Sequence, residues 1–430
     1  MIYTLCIYFP VNRLRICLYG IKGSGLAALA AYLSDYGLDV YGYDKSEELF
    51  TDSELKKHNI VFKDFSYFSF DNEDCDILIY SSAFREMFLK ETLRRYIKIE
   101  YHEFVAFILR GYKVIGVSGT HGKTTCVGML DAMFNHSTSL IQGDGVGRFV
   151  DSDFVILECC EYMDHFLNYS PYIGVILSIE LDHTDYFKNY TDYRNSFIKF
   201  ANRCDRVLTY DLYHLDLNNE YLVGTRTDST YYYNIKRSHD KGFIADLYIS
   251  NDTIKNEQID YIGEYMVKLY TFCLSVADML GMNIEYARNN IRKFKCVKRR
   301  FNLSSVDNAI FVDDYAHQPS QIKNVFNSVS QMKPSYKKVL IFKPDRLSRI
   351  NDFYNEFIKS FNLFDEVYLL NNDKDKEELV KRMVKENQKV KMYNSEVGKE
   401  KEDAVYCFLS SKKISNELEE VKLNRKALNT

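Results

Sequence analysis

Tryptophan is absent from this chain of 430 residues, and only 5 prolines and 19 glycines punctuate it. So little glycine and proline excludes a collagen-like or low-complexity architecture. No uncharged apolar run approaches the roughly 20 residues that a membrane-spanning helix needs. The apolar first ten residues lack a basic flank and a small-residue cleavage site, so they make a poor signal peptide. The ten cysteines are scattered without a C-x-x-C pair, which speaks against a disulfide framework or zinc ribbon and suits a reducing cytosol. Net charge is −4, too little and of the wrong sign to draw nucleic acid or an anionic membrane. The expectation is a cytoplasmic protein with no nucleic-acid partner and no stable membrane insertion.

What is present is material for large cores. Apolar residues make up 46% and charged residues 27%, which excludes disorder of the whole chain. At roughly 100–200 residues per domain, the length predicts two to four domains. Short apolar runs alternate with helical patterns, the mark of parallel α/β architecture. One series has runs at 14–19, 39–43 and 76–80, with a small-residue helix at 26–36. A second opens at 113–117, continues through 154–157 and 173–179, and ends in the helical pattern 264–280. A third has runs at 309–312, 339–342, 366–370, 389–393 and 404–408. The expected domains are 1–110, 111–301 and 302–430. Between about 212 and 262 a Tyr/Asn/Asp-rich stretch predicts small antiparallel strands, and the polar tail 416–430 reads as a frayed helix.

The sharpest motif is GVSGTHGKTT at 116–125, between an apolar strand and a helical pattern. That context suits a phosphate loop: glycines let backbone wrap phosphate oxygens, and the new helix points free N–H groups at them. Lys123 would bring a mobile positive charge to the β- and γ-phosphates, and Thr124 a hydroxyl for magnesium. Val117 stands where a strict phosphate loop has its first glycine. Glu158 ends the run 154–157 and Asp182-His183 follows the run 173–179, on the side where parallel sheets bind ligands. The first series carries Gly20, Gly23, Ser24 and Gly25 after a strand, with Asp44 ending the next. That spacing, GxxGxG, departs from the dinucleotide fingerprint and argues for another phosphate-bearing ligand. In the third series Asp313, Asp314 and His317 follow one strand. Arg346 and Arg349 follow another, spaced to grip one carboxylate or phosphate together.

Taken together these segments resemble the Mur ligases, ATP-dependent amino-acid ligases of peptidoglycan precursor synthesis, from about residue 15 to 410. The resemblance rests on GIKGSGLAALA (20–30), GVSGTHGKTT (116–125), QGDGVG (142–147), ECCEYMDHFLNY (158–169), IELDHTDYF (179–187), KRRF (298–301), DDYAHQPSQI (313–322) and FKPDRLSR (342–349). It implies a Rossmann-like UDP-sugar domain, a phosphate-loop ATPase domain and a Rossmann-like domain for the amino acid. His121 within GTHGKTT favours the L-alanine-adding branch or the tripeptide-recycling branch, and the paired ECCEY and HTDYF segments tilt toward the former. The implied substrates are UDP-N-acetylmuramic acid, L-alanine and ATP, with magnesium as cofactor and an acyl phosphate as intermediate.

Carried over residue by residue, the resemblance gives Gly119, Thr120, His121, Gly122, Lys123, Thr124, Thr125, Arg300 and Asp314 to ATP. Thr124 and Glu158 would hold magnesium, and His183 would help hold a second ion. Gly20, Gly23, Ser24, Gly25, Asp44 and Ser82 face the UDP-sugar. His317, Arg346 and Arg349 face the amino acid, and Lys123, Glu158, His183, Arg300, His317 and Arg346 carry the chemistry. The chain departs from the family at four places. The adenine-facing GxHN reads Gly263-Glu264-Tyr265-Met266, and an arginine pair after ECCEY is replaced by Met163-Asp164. A histidine before the third-series arginine is Asp345, and a C-terminal GAG is replaced by Ser410-Ser411. A recycling ligase and a weakened nucleotide-binding paralogue are the alternatives.

Overall fold

Five short strands open the chain: β1 (Arg15–Tyr19), β2 (Asp39–Asp44), β3 (Val61–Asp64), β4 (Ile77–Tyr80) and β5 (Ile97–Glu100). The computed structural model describes residues 14–428 except 91–94, 251, 298, 371–373 and 413; the apolar start and Lys298 thus lie outside the described residues. β1 and β4 are almost continuous apolar runs, as a strand covered on both faces requires. The five pair in parallel in the order β3-β2-β1-β4-β5, so strand order reverses between β1 and β4. At such a reversal the strand ends leave a crevice for a ligand.

The central sheet contains β6 (Lys113–Ser118), β7 (Ser139–Ile141), β8 (Gly147–Arg148), β9 (Phe154–Glu158), β10 (Ile173–Ile176), β11 (Arg206–Tyr210) and β12 (Glu220–Gly224). Their order is β12-β11-β10-β6-β9-β7-β8, with only β7 and β8 antiparallel among these neighbours. The helix Ser24–Asp35 buries Leu26 through Leu33, and its alanines admit very close neighbours. At Gly147 a Cβ would sit 1.8 Å from the Ala28 carbonyl oxygen, so only glycine fits where β8 crosses that helix.

The chain falls into two compact units. One holds Met1–Glu180, Thr191–Val223 and Phe272–Phe294; the other holds Leu181–Tyr190, Gly224–Thr271 and Lys295–Thr430. In the second unit β13 (Tyr231–His239), β14 (Gly242–Ile249) and β15 (Asp252–Ile259) form an antiparallel meander. The antiparallel strands expected in the Tyr/Asn/Asp-rich stretch are therefore present, and longer than small. The last sheet comprises β16 (Asn302–Val306), β17 (Ala309–Asp314), β18 (Lys337–Phe342), β19 (Glu366–Leu369), β20 (Val390–Met392) and β21 (Ala404–Leu409). It runs β16-β17-β21-β18-β19-β20, parallel except for the edge hairpin β16–β17. The tail corrects the expectation of fraying. Ser415–Ala427 is a helix that buries Leu418, Val421 and Arg425 on one face, against the core of the last sheet. Among the described residues no helix is long and apolar enough to cross a membrane.

Candidate active site

β6 delivers the chain into a tight loop and then into the helix Lys123–Met133. Gly122 caps that helix with φ +85° and brings no capping side chain. Those amides and the positive end of the helix are what a phosphate oxygen needs. Thr120 donates its hydroxyl to the Glu180 carbonyl at 2.9 Å, while the His121 amide donates to Ser178 Oγ at 2.9 Å. His121 Nε2 lies 3.2 Å from Glu180 Oε2. The loop is thus held open by its side chains and by the segment after β10, while Thr125 is buried behind it.

Two further acidic side chains face this loop. Glu158, at the end of β9, receives the Thr124 hydroxyl at 3.2 Å and the Gly143 amide at 2.9 Å. Glu161 is buried and accepts a hydrogen bond from Lys123 Nζ at 2.8 Å; the same ammonium donates to the Gly119 carbonyl at 2.6 Å. Burial opposes the Lys123 charge, but Glu161, Cys160 and Glu158 outweigh it and hold the ammonium above its ordinary range. Glu161 was not singled out from sequence. The available signal was its spacing three residues after Glu158, which carries no meaning until the turn beyond β9 brings it under Lys123. Thr124 and Glu158 offer a hydroxyl and a carboxylate oxygen close enough to share one hard cation. Among the described residues no three His, Cys, Asp or Glu side chains form a cage. A cation here would complete its shell with phosphate oxygens and water, which is magnesium's habit.

In the same unit the glycine-rich turn closes on its own strand ends. Gly20 has φ +86° and donates its amide to Tyr43 at 2.8 Å. Gly23 caps the helix that Ser24 and Gly25 begin, without a side-chain cap. Ser82 lies beyond β4 in a short turn, half-buried. Asp44 braces the turn: its two oxygens accept the Lys22 amide at 2.7 Å and the Lys45 amide at 2.8 Å. Lys22 itself is buried against Asp52 at 3.3 Å.

The second unit gathers the remaining expected residues. Asp314 ends β17, and its carboxylate accepts the amides of Phe301 and Ala316, each at 2.7 Å. That pins the basic stretch to the strand end instead of leaving a free carboxylate. The Arg300 guanidinium lies over the Tyr315 ring at 4.5 Å. His317 donates Nδ1–H to the Tyr315 carbonyl at 2.9 Å; burial, then Arg349, push its pKa down to about 3, so the ring is neutral and presents Nε2 as an acceptor. Arg349 is buried, with Nη2 2.9 Å from Asp182 Oδ1 and Nη1 3.1 Å from Asp345. Burial works against the Asp182 charge, yet His183 and Arg349 hold that carboxyl well below its ordinary range. Arg346, in contrast, is half exposed and reaches both oxygens of Asp185 at 3.3 Å. The joint fork expected of the two arginines is therefore absent. Arg346 is the extended residue before the helix Leu347–Asp352, so the spacing of three does not put both side chains on one helical face. His183, expected to help hold a second ion, belongs to the second unit, where its amide donates to Asp182 at 2.7 Å. Met266 is buried within its helix, whereas Tyr265 is enclosed beside Asp314 and Arg300.

A phosphate loop after a parallel strand, with one carboxylate ending the adjoining strand and another in the turn beyond it, is the arrangement of a nucleotide-using enzyme. Residues 117–268 match the description Mur ligase middle domain, and residues 299–413 match Mur ligase, glutamate ligase domain. The chain belongs to the Mur ligase family and is an ATP-dependent ligase. It is 32% identical over 366 residues to the UDP-N-acetylmuramate–L-alanine ligase of Lactiplantibacillus plantarum, covering 82% of this chain and 83% of that one. The fold is that of the UDP-N-acetylmuramate-alanine ligase of Thermotoga maritima, with a TM-score of 0.78 at 23% identity over 97% of this chain and 100% of that one. A murein peptide ligase from Psychrobacter arcticus is similar at a TM-score of 0.65 and 14% identity, over 97% and 98% of the two chains.

Proposed function

We propose that this chain joins L-alanine to the lactyl carboxylate of UDP-N-acetylmuramic acid in the cytoplasm, at the expense of ATP. The full-length likeness to an L-alanine-adding ligase carries this reading, and the loop built around Lys123 supports it. A carboxylate is a poor electrophile until an oxygen becomes part of a good leaving group. A lactyl carboxylate oxygen attacks the γ-phosphorus, the bond to ADP breaks, and an acyl phosphate results. The neutral amine of alanine then attacks the acyl carbon, loses a proton, and the tetrahedral adduct collapses to amide and phosphate.

Lys123 and the amides of the helix it opens offset charge on the phosphates. Lys123 must leave Glu161 to do so, which makes Glu161 the resting partner of the catalytic ammonium. Thr124 and Glu158 would hold magnesium, which supplies charge neutralisation when bound. The glycine-rich turn and Ser82 take the UDP-sugar, with Asp44 bracing that turn. Arg300 serves the γ-phosphate side, while Asp314 keeps Arg300 and its neighbours in place. His317 accepts a hydrogen bond from the incoming amine but is too weak a base to take its proton, and Arg346 receives the amino-acid carboxylate. Arg349 and His183 are positioning residues, through Asp182. We keep the domain division 1–110, 111–301 and 302–430 as the functional one: sugar nucleotide, ATP and amino acid.

The acyl-phosphate step is tested by labelling the lactyl carboxylate with ¹⁸O. One labelled oxygen should appear in the released phosphate per turnover; unlabelled phosphate would overturn the route. Glu158→Ala should raise the magnesium concentration needed for half-maximal rate at least about tenfold, a loss of one charged ligand. An unchanged magnesium titration would return Glu158 to a structural acceptor for Thr124 and Gly143.

A further inference from the structure

Tyr101 opens the helix Tyr101–Ile108, directly after β5, with its ring pressed against Gly25 of the glycine-rich turn. A Cβ built on Gly25 would fall 2.7 Å from Tyr101 Cζ and 2.8 Å from the hydroxyl oxygen, so the phenol fills the space any side chain there would need. The ring meets His102 edge-on at 4.6 Å and 76°. His102 in turn stacks on His165 at 3.8 Å and bonds the Tyr169 hydroxyl at 2.8 Å. His165 lies in the turn Tyr162–Asn168, which directly follows Glu161. Burial, then the charge of Glu158, raise the pKa of the phenol, so the hydroxyl remains a donor. The Tyr101 hydroxyl thus lies at the turn assigned to the sugar nucleotide, on a helix tied through His102 and His165 to the turn that follows Glu161. All of these residues belong to the first compact unit.

We propose that Tyr101 is a binding residue for the sugar nucleotide, donating its hydroxyl in a hydrogen bond to an anionic oxygen of that substrate. The inference rests on the ligase reading above and assigns a contact that reading does not contain. A donor fixed before the substrate arrives avoids the cost of ordering it on binding. The anionic oxygen has two sources in one molecule, the diphosphate and the lactyl carboxylate.

The test is Tyr101→Phe, which keeps the ring and its contacts and removes only the O–H. Binding of UDP, UDP-N-acetylmuramic acid and ATP is measured by calorimetry on variant and wild type, together with the steady-state constants. Affinity for UDP-N-acetylmuramic acid should fall about ten- to a hundredfold, the range for a hydrogen bond to a charged group. KM for that substrate should rise with it, while ATP affinity and the thermal midpoint stay put. A parallel loss with UDP assigns the bond to the diphosphate; a loss confined to the muramic acid derivative assigns it to the lactyl carboxylate. Unchanged affinity for UDP-N-acetylmuramic acid, or an equal loss for ATP, overturns the proposal. Wild-type protein that binds no UDP-sugar would instead sink the ligase reading, leaving the two failures distinguishable.

Discussion

Lys123→Ala will lower turnover by about 10²–10³-fold or more, since a preorganised charge aimed at the phosphates is lost. It will also destabilise the protein. Glu161 is 1% exposed and paired with that ammonium; stripping the partner from a buried charge costs about 3–5 kcal/mol. The two effects separate in the double variant Lys123→Ala with Glu161→Gln. Neutralising the orphaned carboxylate should return most of the lost thermal stability and none of the activity. Calorimetric melting and phosphate release, measured on wild type and both variants, check this. A single variant with wild-type turnover would remove Lys123 from the chemistry, and a double variant that regains turnover would make its role purely structural.

The second large effect belongs to Arg349. Its guanidinium is 6% exposed between Asp182 and Asp345, and Asp182 is itself only 8% exposed. Arg349→Ala should therefore cost about 3–5 kcal/mol of stability by stripping buried Asp182 of its guanidinium partner. Arg346→Ala should cost about 0–1 kcal/mol, because its pair with Asp185 is largely solvated. Arg346→Lys should raise KM for L-alanine with KM for ATP little changed, as a lysine cannot reproduce a planar two-bond grip. Denaturant midpoints for the two alanine variants settle the contrast. Equal stability losses would show that burial of the Arg349–Asp182 pair does not govern its energetics.

These two arginines show where sequence stops being informative. Their spacing of three invited a shared grip, yet one lies before the helix and the other inside it, so one is solvated and the other buried. Helix boundaries of this kind depend on where β18 ends, which no local pattern marks. The phosphate loop was legible because strand, glycines, lysine and helix are contiguous, and local chemistry alone dictates their geometry. Glu161 was not, because its role depends on a turn that folds back 38 residues along the chain to Lys123. Asp44 has the position of a ligand reader, and no local pattern shows that its two oxygens also accept two backbone amides. The tail's helix is legible in the sequence, but its docking is not. Leu418, Val421 and Arg425 recur at helical spacing within a stretch otherwise polar, and Arg425 gives no apolar signal although it is buried. The succession of parallel strands, by contrast, was visible throughout, because strands buried on both faces leave unbroken apolar runs.

The central claim is that this chain activates the lactyl carboxylate of UDP-N-acetylmuramic acid for attack by L-alanine. The most direct measurement is phosphate release by the purified protein with UDP-N-acetylmuramic acid, ATP and magnesium, adding L-alanine or the L-alanyl-γ-D-glutamyl-diaminopimelate tripeptide. The account predicts release that depends on L-alanine, matched one for one by the alanyl product in mass spectrometry, and no response to the tripeptide. Release driven by the tripeptide instead, or no release with any amine, would contradict it.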